Sequence, residues 1–201
     1  CAEAMAFGMS AIEKGIDLFV PGEMGIGNTT SAAAIAHALY GGNASDWTGR
    51  GTGIDDTTLD LKTRVVGDAI ILHKHQMGDG LEILRCVGGR EIAAMAGAII
   101  AARFSHVPVL LDGYVSCAAA AVLAAIRPDA LDHCLVGHVS AEPGHTRLIE
   151  KLGKEALIDF GMRLGEGSGA ALAIPLLRAA AECHNGMATF DKAGIDGKEG
   201  A

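Results

Sequence analysis

Apolar positions recur in two rhythms along the chain, and the switches between them mark out its elements. Ala2 to Gly15 places Met5, Met9 and Ile12 on one helical face, with Gly15 suited to end the helix. Asp17-Leu-Phe-Val-Pro21 reads as a short buried strand stopped by its proline. It opens into the glycine loop Gly22-Glu-Met-Gly-Ile-Gly27. Asn28, Thr29, Thr30 and Ser31 are then all N-cap types, and Ala32 to Tyr40 continues as helix. Thr57 or Thr58 can cap a helix running through Leu59, Leu61, Val65, Val66, Ile70 and Leu72 to the neighbourhood of Gln76. Asp79 begins a further turn or two across Leu81 to Val87, Gly88-Gly89 breaks it, and Arg90 to Phe104 resumes as a strongly apolar helix. Val107 to Gly113 is the clearest buried strand; Ser116 can cap a helix over Cys117 to Ile126, which Arg127-Pro128 ends. A strand at His133 to Val136, a loop from Gly137 to Gly144 and a helix over Thr146 to Leu152 follow. Leu157 to Phe160 is a last strand or a helix end. Gly161 to Gly167 is glycine-punctuated, an Ala-rich helix pattern comes next, and beyond Asn185 the tail is polar.

Strand, glycine-rich loop and helix in repetition predict an α/β fold: a mainly parallel, Rossmann-like sheet with helices on both faces and ligands at the carboxyl ends of the strands. No linker or fixed-period repeat divides the chain, so residues 1–201 are expected to form a single domain. The chain opens on Cys1 already in helical rhythm, which leads to the expectation that an amino-terminal region of a longer protein is missing.

Half the residues are hydrophobic and only 20% are charged, so a filled core is expected and disorder is not. A net charge of -8 without a basic cluster argues against nucleic acid or a polybasic membrane anchor as partner. The apolar runs Ile92 to Ala102 and Cys117 to Ile126 fall short of the roughly 20 residues that span a bilayer. Five cysteines, an odd number with no C-x-x-C pair, read as reduced thiols in a cytoplasmic protein. His73 and His75 face different directions on one helix, and His133, His138 and His145 lack acidic or Cys partners at zinc spacing. No metal site is therefore expected, and most of these histidines read as structural or exposed.

The candidate chemistry lies in two glycine-flanked acids. Glu166 sits between Gly165 and Gly167, just ahead of a helix pattern, and Glu23 sits in the first glycine loop. These two loops are expected to meet across one pocket; the alternative is that both acids are solvated loop residues. Gly165-x-Gly167-x-x-Ala170 satisfies a loose dinucleotide fingerprint, but a weak strand precedes it and no acid ends a second strand about 20 residues on. No Walker loop and no Gly-x-Ser-x-Gly elbow occurs. Lys62, on an otherwise apolar helix, is either a snorkelling surface lysine or a ligand contact.

Gly22-Glu-Met-Gly-Ile-Gly-Asn-Thr-Thr30, Leu110-Leu-Asp-Gly-Tyr114 and Met162-Arg-Leu-Gly-Glu-Gly-Ser-Gly-Ala-Ala171 together resemble the nicotinate-nucleotide:dimethylbenzimidazole phosphoribosyltransferase family, specifically the carboxyl-terminal part of its chain. The resemblance implies transfer of phosphoribose from nicotinate mononucleotide to 5,6-dimethylbenzimidazole, giving α-ribazole 5′-phosphate and nicotinate in cobalamin lower-ligand synthesis. By motif, Glu166 would be the general base on the benzimidazole N–H and Glu23 the second acid. Gly25, Gly27, Asn28, Thr29, Gly113 and Ser140 would hold phosphate and ribose, and Lys62 would lie at the nicotinate end. A partly desolvated carboxylate suits the base's task. The leaving pyridinium departs as a neutral ring, so neither metal nor cofactor is implied. A homodimer is implied as well. The alternative expectation is a truncated, catalytically impaired fragment that binds phosphate ligands.

Overall fold

The computed structural model describes residues 1–51 and 53–194; the end of the expected polar tail lies outside them. Three parallel strands form the sheet in the order β1 (Val109–Leu111), β2 (Cys134–His138), β3 (Ala156–Ile158). Val109 is in register with Cys134, Leu111 with Val136, and His138 with Ile158. The predicted strand at Asp17 to Pro21 is reduced to one parallel bridge, Phe19 to Val109, beside β1. Pro21 has no N–H with which to continue a ladder.

Alternation along β1 assigns its two faces. Val109 and Leu111 join the main core, whereas Leu110 packs on the other face with Ala170 and Ala173. Those alanines belong to α8 (Ser168–Gly186), so the sheet is covered on both sides, as parallel sheets usually are. The main core is built by α2 (Asn28–Tyr40), α5 (Arg90–Phe104) and α6 (Tyr114–Ile126), all rich in small residues. Small side chains let backbones approach closely. A side chain at Gly8 of α1 (Ala2–Met9) would strike the Ala94 carbonyl, and one at Gly97 the Met5 carbonyl, so α1 and α5 touch backbone to backbone.

Several helix starts differ from expectation. α2 begins at Asn28 behind Gly27, which takes a left-handed φ of 89° and leaves no side-chain cap. α3 (Asp56–His73) is capped by Asp55, whose carboxylate accepts from the Thr58 amide at 2.8 Å, in place of a threonine. α6 starts three residues early at Tyr114, so Ser116 lies within it and donates to the Gly113 carbonyl. α1 stops at Met9, because the Ser10 amide already turns back to Ala6 and Phe7. α4 (Gly80–Val87) follows Asp79 as predicted, and Leu157 lies in a strand, resolving that ambiguity. β2 runs two residues past its predicted end, and α7 (Pro143–Lys151) starts at Pro143, whose fixed φ suits a first helical position.

Candidate active site

Each strand end, and the bridge at Phe19, leads into a loop that carries one carboxylate to the same place. Phe19 is followed by Glu23, β1 by Asp112, β2 by Glu142 and β3 by Glu166. All four line one cavity of about 490 Å³ at the carboxyl ends of the strands. The loops are tied across the gap: the Val139 amide donates to the Ile158 carbonyl at 2.9 Å, and that of Ala141 to Met162 at 2.9 Å. The two glycine loops meet as expected, the Glu166 amide donating to the Glu23 carbonyl at 3.1 Å.

Glu166 takes a φ of 60°, a left-handed conformation that non-glycine residues rarely adopt, between Gly165 (80°) and Gly167 (78°). Its backbone packs so closely on Gly22 that a side chain there would come within 2.9 Å of the Glu166 carbonyl. Glu166 is solvent-exposed. The desolvation expected of the base is found at Glu23 instead. Burial, followed by the nearby Asp112, Glu91 and Glu166 carboxylates, raises the Glu23 pKa above the usual range, against an opposing hydrogen bond from the Asn28 side-chain amide.

The Asp112 carboxylate anchors the Glu166 loop from below. It is almost fully buried and accepts from the Ala170 amide at 2.8 Å and the Gly167 amide at 3.2 Å, the first turn of α8. His138 Nε2 lies 3.5 Å from it, and a side chain at Gly169 would collide with that imidazole. The α8 N-terminus is thus already neutralised by a carboxylate. The α2 N-terminus is not: it has no side-chain cap and opens directly onto the cavity at Gly27, Asn28 and Thr29. Of the two helix starts, only α2 is available to an anion.

Lys62 is buried, not a surface residue. Its ammonium donates to Thr29 Oγ1 and to the Gly49 carbonyl, both at 2.8 Å. Burial lowers its pKa, with Glu142 pulling the other way. Gly25, Gly113 and Ser140 also border the cavity, as do Arg50 and Arg163. Every sequence-predicted site residue therefore lies on one wall or another of a single cavity. Asp112, Glu142 and His138 were not assigned to it by spacing. Asp112 stood inside a quoted motif without a role, and Glu142 in a loop with no glycine beside it.

Behind Ser140, a buried polar chain fixes the loop. The Ser140 amide donates to His145 Nδ1 at 2.8 Å, so Nε2 carries the proton and faces Cys117 Sγ at 3.2 Å. Burial, then His138, holds the His145 pKa down to about 3 against an ordinary 6.5. The unfolded chain takes up a proton as pH falls through 6.5 and the folded one does not, so the stability contributed by this neutral imidazole is full above that value. It is lost progressively as pH falls toward 3. Denaturant titrations of His145→Gln should show a flatter acid limb than the parent between about pH 6 and pH 3.

The fold and cavity place the chain among α/β domains with a cavity at the carboxyl ends of their strands. The chain belongs to the phosphoribosyltransferase family whose model matches residues 1–195. It is 63% identical over 198 residues to the nicotinate-nucleotide–dimethylbenzimidazole phosphoribosyltransferase of Rhizobium etli (strain CIAT 652), covering 98% of this chain and 59% of that protein. It is 62% identical over 195 residues to the one from Brucella canis (strain ATCC 23365 / NCTC 10854 / RM-666), covering 97% and 58%. The crystal structure of CobT from Thermus thermophilus superposes with a TM-score of 0.91 at 41% identity, over 97% of this chain and 59% of that one. The chain thus spans about three fifths of the length of these relatives. Among the described residues no helix is long and apolar enough to cross a membrane.

Proposed function

We propose that the cavity transfers phosphoribose from nicotinate mononucleotide to 5,6-dimethylbenzimidazole, giving α-ribazole 5′-phosphate and nicotinate. The observation that carries this reading is one cavity that combines an anion site with paired acids. The uncapped start of α2, Thr29 and the buried Lys62 cation favour a phosphate, and Glu166 and Glu23, the latter bonded to the Asn28 side chain, border the same cavity. Met24, Ile26 and Leu164 border the cavity beside these acids and are exposed, an apolar rim that suits an aromatic ring. A ring seated there covers Glu166 and supplies the desolvation its exposed carboxylate lacks.

Glu166 takes the benzimidazole N–H proton, and the opposite ring nitrogen attacks the anomeric carbon. The bond from that carbon to the nicotinate nitrogen breaks, its electron pair returning to the pyridinium, which leaves neutral. Attack opposite the leaving group converts β to α. Gly25, Gly27, Asn28, Thr29, Gly113 and Ser140 hold the phosphoribose, and Glu23 steadies Glu166 or the incoming ring. Lys62 belongs to the phosphate end by its bond to Thr29, a shift from the nicotinate contact its motif suggests. The reading includes a homodimer in the cytoplasm.

A second reading rests on the three-fifths span of the relatives: a chain that binds phosphate ligands without turnover. The protein incubated with both substrates and a chelator should form α-ribazole 5′-phosphate, detected chromatographically. Calorimetric binding of nicotinate mononucleotide with no product would establish the second reading in its place.

A further inference from the structure

Glu142 is a buried acid with an unclaimed oxygen. It is 5% exposed, borders the cavity, and its Oε2 has no hydrogen-bond partner among the described residues. As N-cap of α7 it would ordinarily turn its side chain back to the helix amides, yet it makes no such bond. Its backbone is fixed nonetheless: its amide donates to Ser140 Oγ at 3.3 Å, and its carbonyl accepts from His145 at 2.9 Å. Gly49 packs against the carboxylate so closely that any side chain there would strike Oε2.

No neighbouring donor reaches that oxygen. Lys62 gives two of its three ammonium hydrogens to Thr29 and Gly49 and makes no bond to Glu142, and the Tyr114 hydroxyl donates to the Trp47 carbonyl at 2.8 Å. A buried carboxylate oxygen left without a donor is costly, so a ligand that brings one gains the difference. The ligand group cannot be anionic, because like charges repel. It is not a metal ion either: the Lys62 ammonium already supplies positive charge nearby, and the described residues contain no cluster of His, Cys, Asp or Glu able to hold one. Neutral hydroxyls remain, and a carboxylate accepts from a vicinal pair of them in a charge-assisted arrangement.

The geometry points to Glu142 as the residue that recognises the ribose hydroxyls of the nucleotide and so selects ribo over deoxyribo substrates. This rests on the phosphoribosyl reading of the cavity. Ser140 and Thr29 border the same cavity, which keeps a sugar phosphate within reach.

Binding of ribose 5-phosphate and 2-deoxyribose 5-phosphate by calorimetry tests the assignment without requiring turnover. The parent protein should prefer the ribose compound by about 10-fold or more. Glu142→Gln and Glu142→Ala should lose most of that preference, chiefly by weakening the ribose compound. Equal binding of the two sugars by the parent protein would overturn the assignment, and so would equal weakening of both in a folded Glu142→Gln variant. The parent comparison stands even if a variant fails to fold. Intact sugar preference without α-ribazole 5′-phosphate formation would strike the transfer reading alone. Transfer with equal use of nicotinate mononucleotide and its 2′-deoxy analogue would strike the role of Glu142 alone.

Discussion

Glu166→Gln should lower the rate of α-ribazole 5′-phosphate formation by about 10²- to 10⁴-fold, the usual contribution of a positioned general base. The KM for nicotinate mononucleotide should stay within about threefold, because the amide keeps the shape of the loop and the phosphate end lies elsewhere. Two features make this substitution clean. Glu166 accepts no hydrogen bond through its side chain from the rest of the described protein, and its backbone conformation is set by flanking glycines and by the bond to the Glu23 carbonyl. Steady-state kinetics with both substrates varied would check it. Undiminished product from Glu166→Gln would remove this residue as the base and leave Glu23, the half-buried acid with the raised pKa, as the group to replace next.

Asp112→Ala should destabilise the fold by about 3 kcal/mol and reduce activity together. Removing this carboxylate strips two buried amides, Gly167 and Ala170, of their acceptor, and takes a negative charge from the α8 N-terminus. Both effects act in the same direction. Asp112→Asn keeps one acceptor oxygen but turns an NH₂ toward the second amide, so about half the loss is expected. Urea unfolding of the two variants, with the activity of each measured at low temperature where it is folded, separates the parts. A loss of activity exceeding the loss of folded protein shows that the anchor also orients Glu166.

The glycine loops and the strong helices were legible in the sequence because their signals are local. Arg90 to Phe104 is strongly apolar between its charged ends and follows the Gly88-Gly89 break, and the structure returns those bounds unchanged. Asp79 caps α4 through a bond three residues on, a pattern carried within one turn. Asp17 to Pro21 looked like a strand by composition, but pairing is a property of two segments, and only Phe19 forms a bridge, to Val109. The early start of α2 has a local cause: Gly27, at a φ of 89°, lets the chain enter the helix before any capping side chain is reached, whereas α6 starts early from an extended Gly113. Within the cavity, Glu23 and Glu166 announced themselves by their glycines. Glu142 and Asp112 could not, since what distinguishes them is burial beside groups distant in sequence, Gly49 in one case and Ala170 in the other. Lys62 is the intermediate case; the family resemblance placed it near the site, and only packing decided between snorkelling and burial.

One peptide N–H joins the two acidic loops, from Glu166 to the Glu23 carbonyl. Because Gly22 lies flat against the Glu166 backbone at the same point, neither loop can shift without pushing the other. The two loops are therefore coupled mechanically: on the phosphoribosyl reading, a phosphate that settled on α2 would stiffen the first loop, and Glu166 would inherit that stiffness through the shared contact.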